Sequence, residues 1–232
     1  MTRPSIDPKL RELILGALEA PYVSESSCDS IETGNHYQSV SLGAETTAGF
    51  RSARSEILDK ISFHGKEVLD LGSNLGELSR VARMRGARLV DGYEFDPFFV
   101  DVAYAINAYN RTSRVSFFER DITNPMSYTG EYDIVLAFSV AHYVYSVLDI
   151  LARITRELLV VETHRLDKNL ETRYIAPLRP HFPFHQVLGT SEWSVSGAES
   201  EHRAVVAFAK DKRALASGLA RMLDLDRGGM AS

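Results

Sequence analysis

The sequence has very little cysteine. Cys28 is the only one among 232 residues, so no internal disulfide can form and no cysteine-rich zinc site is available. The sequence also lacks an apolar run near the roughly 18 residues that a bilayer-spanning helix needs. Its first twenty residues carry acidic side chains and no continuous apolar stretch, which does not fit a signal peptide. From these absences we expect a cytoplasmic protein with no membrane partner.

Basic residues are fewer than acidic residues. Lys and Arg number 26 against 31 Asp and Glu, which gives a formal net charge of −5. A protein that binds a nucleic-acid backbone usually carries a basic surface, so this balance argues against DNA or long RNA as a partner, although a local basic patch stays compatible with it. The length and a hydrophobic content of 44% fit one large globular domain with a short extra segment.

The pattern of apolar residues changes after about residue 62. Before that point an amphipathic helix is predicted over 8–20, a loop-like segment over 22–49 and a second helix over 51–62. After it, apolar strands alternate with helices, which is typical of a parallel, doubly wound sheet. We therefore predict an N-terminal helical cap over residues 1–62 and one integrated α/β domain over residues 63–232.

The sheet is predicted to contain seven strands. The predicted strands cover residues 67–72, 88–95, 115–121, 132–139, 158–164, 184–195 and 202–210. The predicted helices between and after them cover residues 77–86, 97–110, 146–157 and 211–225. No helix fits between the last two strands, so we expect them to pair antiparallel. The fold class is thus α/β: a doubly wound, mostly parallel seven-stranded sheet with a C-terminal antiparallel hairpin and an N-terminal helical cap.

The segment VLDLGSNLGELS at residues 68–79 is the sharpest motif. A strand ends in Asp70, a glycine-containing turn comes next, and a helix begins near Glu77. Such a turn exposes backbone N–H groups, and a ligand can approach closely where Gly72 and Gly76 have no side chain. In open α/β sheets, ligands bind at the carboxyl ends of the strands, which is where this turn lies.

Two further carboxylates stand at the ends of the next two strands. Glu94 ends the second strand, where it can accept hydrogen bonds from both hydroxyls of a ribose. Asp121 ends the third, where it can accept one from an exocyclic amine. Together with the terminal hairpin, these features resemble the class I S-adenosylmethionine-dependent methyltransferases over residues 66–210. That family has the antiparallel hairpin, which dinucleotide dehydrogenases usually lack.

The resemblance implies S-adenosyl-L-methionine as cofactor and methyl transfer as activity. In the family the motif segment holds the methionine part, and the acidic residues after strands two and three bind ribose and adenine. One departure is Asn74, which stands where a middle glycine is common; because asparagine tolerates left-handed backbone, we expect the turn to survive. The predicted cofactor-binding residues are Tyr37, Arg51, Asp70, Gly72, Ser73, Asn74, Gly76, Glu94, Phe95, Asp121, Ile122 and Phe138.

A nicotinamide dinucleotide fits the same motif poorly. The segment GSNLGEL does not supply the G-x-G-x-x-G fingerprint of dinucleotide-binding proteins. Asp70, directly before the turn, would repel a pyrophosphate, whereas it suits a methionine ammonium. Tyr37 and Arg51 belong to the segment 36–54 that is predicted to cap the cofactor, where they could contact the methionine carboxylate or the acceptor.

Three side chains at strand ends are candidates for a catalytic base. Methyl transfer from a sulfonium mainly requires alignment and exclusion of water, but a hydroxyl or ammonium acceptor must also lose a proton. His142 and His164 come after strands four and five, and a histidine pKa near 6.5 suits this role. Glu162 points the same way as His164. For each of the three, the alternative is a structural role in which the side chain is simply hydrogen-bonded. No cluster of residues in the sequence predicts a metal site.

The segment after the fourth strand bears on the identity of the acceptor. FSVAHY stands where nucleic-acid amino methyltransferases carry an Asn/Asp-Pro-Pro-aromatic motif, and Cys28 lies far from the position of a cytosine-C5 nucleophile. We therefore expect O- or N-methylation of a small-molecule acceptor in specialised, natural-product metabolism. The alternatives are methylation of a tRNA or RNA base and a non-catalytic, cofactor-binding scaffold or sensor.

Residues 165–186 bear on the charge of that acceptor. The segment is basic and aromatic, which would suit an anionic small molecule such as a carboxylate or a phosphorylated compound. A solvated helix with a hydrophobic underside explains the same composition. The sequence does not decide between a pocket for an anionic acceptor and a solvated helix. It also leaves the oligomeric state open. The basic residues concerned are Arg165, Lys168, Arg173, Arg179 and His181.

Overall fold

The structure is a computed structural model that describes residues 8–19, 38–47, 51–52, 54–164, 169–193 and 201–220. Its helices are α1 (Pro8–Glu19), α2 (Arg54–Leu58), α3 (Glu77–Met84), α4 (Pro97–Asn110), α5 (Ala141–Val144), α6 (Leu148–Ile154), α7 (Ala176–Leu178) and α8 (Lys212–Gly218). Its strands are β1 (Val40–Leu42), β2 (Glu45–Thr47), β3 (Arg51–Ser52), β4 (Glu67–Leu71), β5 (Leu89–Glu94), β6 (Val115–Glu119), β7 (Tyr132–Ala137), β8 (Thr155–Glu162), β9 (Phe184–Trp193) and β10 (Glu201–Ala209). None of the described helices is long and apolar enough to span a membrane.

One sheet of eight strands organises the molecule, in the order β3-β9-β10-β8-β7-β4-β5-β6. Strands β4 to β8 run parallel to one another, whereas β10 pairs antiparallel with both β8 and β9. The predicted seven-stranded, mostly parallel sheet with its terminal hairpin is confirmed, and the two-residue strand β3 adds an eighth strand at one edge. Because the chain crosses from β6 back to β7 beside β4, the strand order reverses at β4, where a ligand crevice is expected.

Helices cover both faces of the sheet, as a doubly wound fold requires. One core contains residues of α2, α3 and α4, with α8 packed against it, and the other contains residues of α5, α6 and α7. Strand β4 shows why both are needed, since Val68, Leu69 and Leu71 are fully buried although they alternate between the two faces. A parallel strand that is apolar on both faces can be buried only between two layers of helices.

The segment around residues 40–47 differs from the predicted loop. It forms the antiparallel hairpin of β1 and β2, in which Val40 pairs with Thr47. Val40 and Leu42 are buried and Ser41 between them is exposed, and Gly43 takes a φ of 66° in the turn. This short alternation is strand-like, but three residues are too few to stand out among the surrounding polar residues. The cap thus contains a hairpin as well as helices, and a third core joins the hairpin and α1 to α4.

Three predicted helices are clearly shorter than expected, and one of them, predicted over 211–225, already ends at Gly218. The helix predicted over 51–62 covers only α2, because Arg51 and Ser52 pair as a strand with β9. The helix predicted over 146–157 ends at Ile154, and β8 begins at the next residue. There Thr155, a β-branched residue, pairs with Tyr132 of β7 and is buried. Sheet pairing therefore overrides the helical spacing of the apolar residues at that point.

Candidate functional site

The loop after β4 follows a left-handed path at the carboxyl end of the sheet. Gly72, Asn74 and Gly76 have φ angles of 67°, 50° and 76°. The backbone N–H groups of Gly72 and Ser73 both donate to the carbonyl of Tyr93, at 2.8 and 2.9 Å, which ties the loop to the end of β5. Asn74 thus adopts the conformation that a glycine would take, and the prediction that the turn tolerates it is confirmed.

The carboxylate of Glu94 is fixed against this loop. Its Oε2 accepts the backbone N–H of Asn74 at 2.7 Å, and its Oε1 accepts those of Phe95 and Asp96 at 2.9 and 3.1 Å. Burial raises the pKa of Glu94, while these N–H donors act in the opposite direction by favouring the charged form. The sequence placed Glu94 at the end of β5; the structure adds that the carboxylate and the loop hold one another in position.

Asp70 supplies a further carboxylate near the end of β4, and this one is buried. Burial raises the pKa of Asp70 to about 6, and the hydroxyl of Ser79, which donates to its Oδ2 at 2.6 Å, acts against this shift. At neutral pH most Asp70 side chains therefore carry a negative charge. A buried negative charge next to a ligand loop favours a ligand with a positively charged group.

Two polar atoms of the loop have no hydrogen-bond partner in the part of the chain that the structure describes. The hydroxyl of Ser73 and the Oδ1 of Asn74 are buried, and neither makes a hydrogen bond to the described residues. Buried polar atoms in native proteins are nearly always hydrogen-bonded, so such atoms indicate where a ligand completes the site. Gly92 leaves room for this loop, because a β-carbon there would lie 2.8 Å from the Ser73 hydroxyl and 2.6 Å from the ring of Phe117.

The polar groups in and around the loop fit an adenosyl amino acid. Glu94 is an acceptor of the kind that a ribose diol requires, and Asp70 is a counter-charge of the kind that an ammonium or a sulfonium requires. The unpartnered atoms of Ser73 and Asn74 leave hydrogen bonds for such a ligand to make. We therefore conclude that the described residues fit S-adenosylmethionine.

Asp121 and Ile122 follow β6, the outermost strand on this side of the sheet. Asp121 is exposed, and its Oδ1 accepts the N–H and the hydroxyl of Thr123 at 2.8 and 2.7 Å, which lowers its pKa. Ile122 is buried, whereas Phe95 is 72% exposed and presents an aromatic ring at the end of β5. An ionised acceptor and an exposed ring are suited to a purine base, and these adenine contacts stay predictions.

Gln38 is a site residue that the sequence did not identify. It is buried, its Nε2 donates to the carbonyl of Ser73 at 3.3 Å, and its Oε1 accepts the N–H of Glu77 at 3.2 Å. The hydroxyl of the next residue, Ser39, donates to the carboxylate of Glu77. The cap thus binds the loop directly. One signal was available, because Gly76 at the start of α3 has no side chain with which to cap the helix.

Glu162 lies at the end of β8 in a fully buried ion pair. Its oxygens accept Arg54 Nε and Nη2 at 2.9 and 2.6 Å, Ser139 Oγ at 2.7 Å and Ser191 Oγ at 2.6 Å. Ser139 has a φ of 64°, a left-handed conformation, shortly after β7. A carboxylate held this way by a guanidinium favours a positioning role, so the arrangement does not support the prediction that Glu162 is a base. Nothing in the sequence marks Arg54 or Ser139.

The two predicted histidines come together at the ends of β7 and β8. Their ring centroids are 5.8 Å apart, and both side chains are exposed. Partial burial and the positive charge of Arg203 lower the pKa of His142, which favours its neutral form. The backbone N–H of His164 donates to the hydroxyl of Tyr174 at 3.1 Å. Both histidines are candidates for proton transfer at the same place.

The remaining predicted residues are placed less directly. Tyr37 lies outside the described residues, as does the side chain of Arg51. Phe138 is buried in the core, and the centroid of its ring lies 5.5 Å from the guanidinium carbon of Arg54. Its contact with the cofactor stays a prediction. Within the basic segment, residues 165–168 are outside the described residues, and Arg179 pairs with Glu171 on the surface.

Comparisons with known proteins agree with this architecture. The sequence matches no protein-family model. It is 32% identical over 102 residues to a ribosomal protein L11 methyltransferase of Dictyoglomus thermophilum, an alignment that covers 44% of this chain and 33% of that protein. The chain therefore spans about a third of the length of this curated relative.

Two solved structures extend the comparison to more of the chain. A proposed RNA methyltransferase of Pyrococcus horikoshii superimposes with a TM-score of 0.53 at 22% identity, covering 64% of this chain and 76% of that one. A precorrin-6y C5,15-methyltransferase of Geobacter metallireducens gives a TM-score of 0.53 at 14% identity, covering 67% and 87%. The chain has the class I methyltransferase fold.

Proposed function

We propose that this protein is an S-adenosylmethionine-dependent methyltransferase. The observation that carries the proposal is the contact between Glu94 and the loop after β4, where a half-buried carboxylate accepts the N–H of Asn74 at 2.7 Å. This pair lies at the carboxyl edge of a sheet with the class I methyltransferase fold, next to the strand-order reversal. The unpartnered polar atoms of the same loop support a ligand at this place.

The chain's own residues would bind and orient the cofactor. When bound, S-adenosylmethionine supplies an electrophilic methyl group on a sulfonium. Glu94 accepts hydrogen bonds from the ribose hydroxyls, and Asp121 accepts one from the adenine amine. Asp70 provides negative charge near the cationic end. Gln38 keeps the cap on the loop, which limits the access of water to the reacting atoms.

His142 is the base that the geometry favours. It stands just after the end of β7, the strand next to β4, and its lowered pKa keeps the imidazole neutral at pH 7, ready to accept a proton from a hydroxyl or ammonium acceptor. His164 lies close enough to contact the same acceptor. Glu162 is the weaker candidate, because Arg54 and two serine hydroxyls occupy its oxygens.

A small molecule methylated on oxygen or nitrogen, made in specialised metabolism, is the acceptor we propose. The net charge of −5 and the lack of a nucleic-acid motif after β7 support this choice. The proteins compared above are described as acting on RNA, on a ribosomal protein and on a precorrin. A tRNA or RNA base is therefore the acceptor to test against.

Calorimetric titration with S-adenosylhomocysteine and S-adenosylmethionine tests the cofactor. We expect one site per chain, and the absence of binding would contradict the proposal. Turnover of a panel of small hydroxyl and amine compounds then separates an enzyme from a cofactor-binding sensor. Retention on tRNA at moderate salt, together with methylation of the RNA, would replace the small-molecule acceptor by an RNA base.

Replacing Glu94 with alanine should weaken binding of S-adenosylhomocysteine by at least about tenfold, because the ribose loses a charged acceptor and the loop loses its anchor. The measurement is calorimetry at pH 7. The matched control is Glu131→Ala, since Glu131 is exposed and pairs with Arg156 at the opposite end of the sheet. Equal affinities of the two variants would show that Glu94 does not hold the ribose.

A further inference from the structure

Arg80 is a buried cation, and some of its hydrogen-bond donors are unused within the described ranges. Its side chain on α3 is 6% exposed, and neither Nη1 nor Nη2 has a hydrogen-bond partner among the described residues. A guanidinium is rarely buried without partners, because it loses its hydration and gains nothing in return. Such a group indicates a ligand that the protein is built to receive.

The guanidinium points at the loop after β4. Its Nη1 lies 3.0 Å from the position that a β-carbon on Gly76 would take, so any side chain there would meet Arg80. The hydroxyl of Ser73, on the same loop, is also buried and without a partner among the described residues. The ring of Phe117 lies against both Gly76 and Gly92. The start of α3, an eight-residue helix, contributes its positive dipole end at the same place.

The nearby carboxylates leave the guanidinium available. Glu77 and Asp70 are the charges that raise the pKa of Arg80, against the burial that lowers it to about 10. The carboxylate of Glu77 accepts the hydroxyl of Ser39, and that of Asp70 accepts the hydroxyl of Ser79. Neither Nη atom of Arg80 is hydrogen-bonded to them, so the guanidinium keeps these donors for an anion.

S-adenosylmethionine has only one anionic group, the carboxylate of its amino acid part. We propose that Arg80, with the hydroxyl of Ser73, binds that carboxylate and so makes the site selective for carboxylate-bearing adenosyl compounds. This inference rests on the proposed function. It gives the carboxylate contact to α3, whereas the sequence pointed to Tyr37 or Arg51 in the cap.

Decarboxylated S-adenosylmethionine provides the test, because it differs from S-adenosylmethionine only in this carboxylate. We expect the wild-type protein to bind S-adenosylmethionine about ten- to a hundredfold more tightly, as charged hydrogen bonds would give. In Arg80→Met this preference should fall to less than about threefold, with the affinity for the decarboxylated compound unchanged. Calorimetry measures all four affinities.

The outcomes separate this inference from the proposed function. Wild-type protein that binds neither compound would contradict the cofactor itself, whereas equal binding of both would overturn only the carboxylate subsite. If the preference survives in Arg80→Met, or if the affinities for both compounds fall equally, Arg80 acts only as a structural counter-charge. If that variant does not fold, Arg80→Gln keeps polar donors without the charge and should lose most of the preference; full retention would overturn the proposal. Arg88→Met, in an exposed pair with Glu67, is the control and should keep the preference.

Discussion

Replacing Arg54 with methionine should lower the free energy of unfolding by about 3–5 kcal/mol, because it removes the guanidinium that pairs with the buried Glu162 carboxylate. Both side chains of the pair are almost fully buried, with relative exposures of 4% and 0%. The pair also joins distant parts of the chain, since Ser139 and Ser191 bond to the same carboxylate. Urea unfolding monitored by far-ultraviolet circular dichroism gives the value.

Two further variants control this measurement. The double variant Arg54→Met, Glu162→Gln should recover part of the lost stability, since no uncompensated charge remains buried. Arg179→Met breaks an exposed pair with Glu171, whose side chains are 51% and 56% exposed, and should cost less than about 1 kcal/mol. If Arg54→Met cost no more than Arg179→Met, the buried pair would not hold the cap segment to the sheet.

Replacing His142 with asparagine should lower kcat by about 10²- to 10⁴-fold if this residue removes the acceptor proton. The affinity for S-adenosylhomocysteine should stay within about twofold, because His142 lies outside the loop that we propose as the cofactor site. The pKa of His142 is lowered from 6.5, so the neutral, active form persists to a more acidic pH than for a free histidine. In the wild type, kcat/KM should therefore fall only below about pH 6.5, and the variant should lose this limb.

His64→Asn is the matched control, since His64 precedes β4 and lies at the opposite end of the sheet. Its kcat and pH profile should equal those of the wild type. His164→Asn distinguishes the two histidines. A large loss of kcat and of the acidic limb in His164→Asn, with His142→Asn unaffected, would assign proton removal to His164 instead.

Much of the sheet could be predicted because central strands such as β4 are apolar on both faces and α4 has a clear start. Helix α4 matches its predicted range over 97–110, where Asp96 and Pro97 mark the start: the Asp96 side chain accepts the N–H of Phe98. The hairpin of β1 and β2 was missed because a three-residue strand has too little alternation to recognise. Strand β3 was missed because its pairing with β9 depends on contacts far apart in the sequence.

The candidate site also contains residues that the sequence could predict and residues that it could not. Asp70, Gly72 and Glu94 could be found because their positions after consecutive strands are readable from local patterns. Arg54 and Arg80 could not, since the first contacts a segment distant in the chain and the second is marked only by an absence of partners among the described residues. Gln38 had one indirect signal, the missing side-chain cap of α3, but its contact with the loop is again a tertiary one. Glu162 shows the converse, because its position at a strand end made it a candidate base, while the fold places the guanidinium of Arg54 on it.

A crystal structure of the protein with S-adenosylhomocysteine tests the central claim most directly. We predict that both ribose hydroxyls donate to Glu94, that the amino acid part lies along the loop at Ser73 and Asn74, and that the adenine lies near Asp121. A ligand bound elsewhere, or bound at this loop with its ribose away from Glu94, would contradict the proposed function of this site.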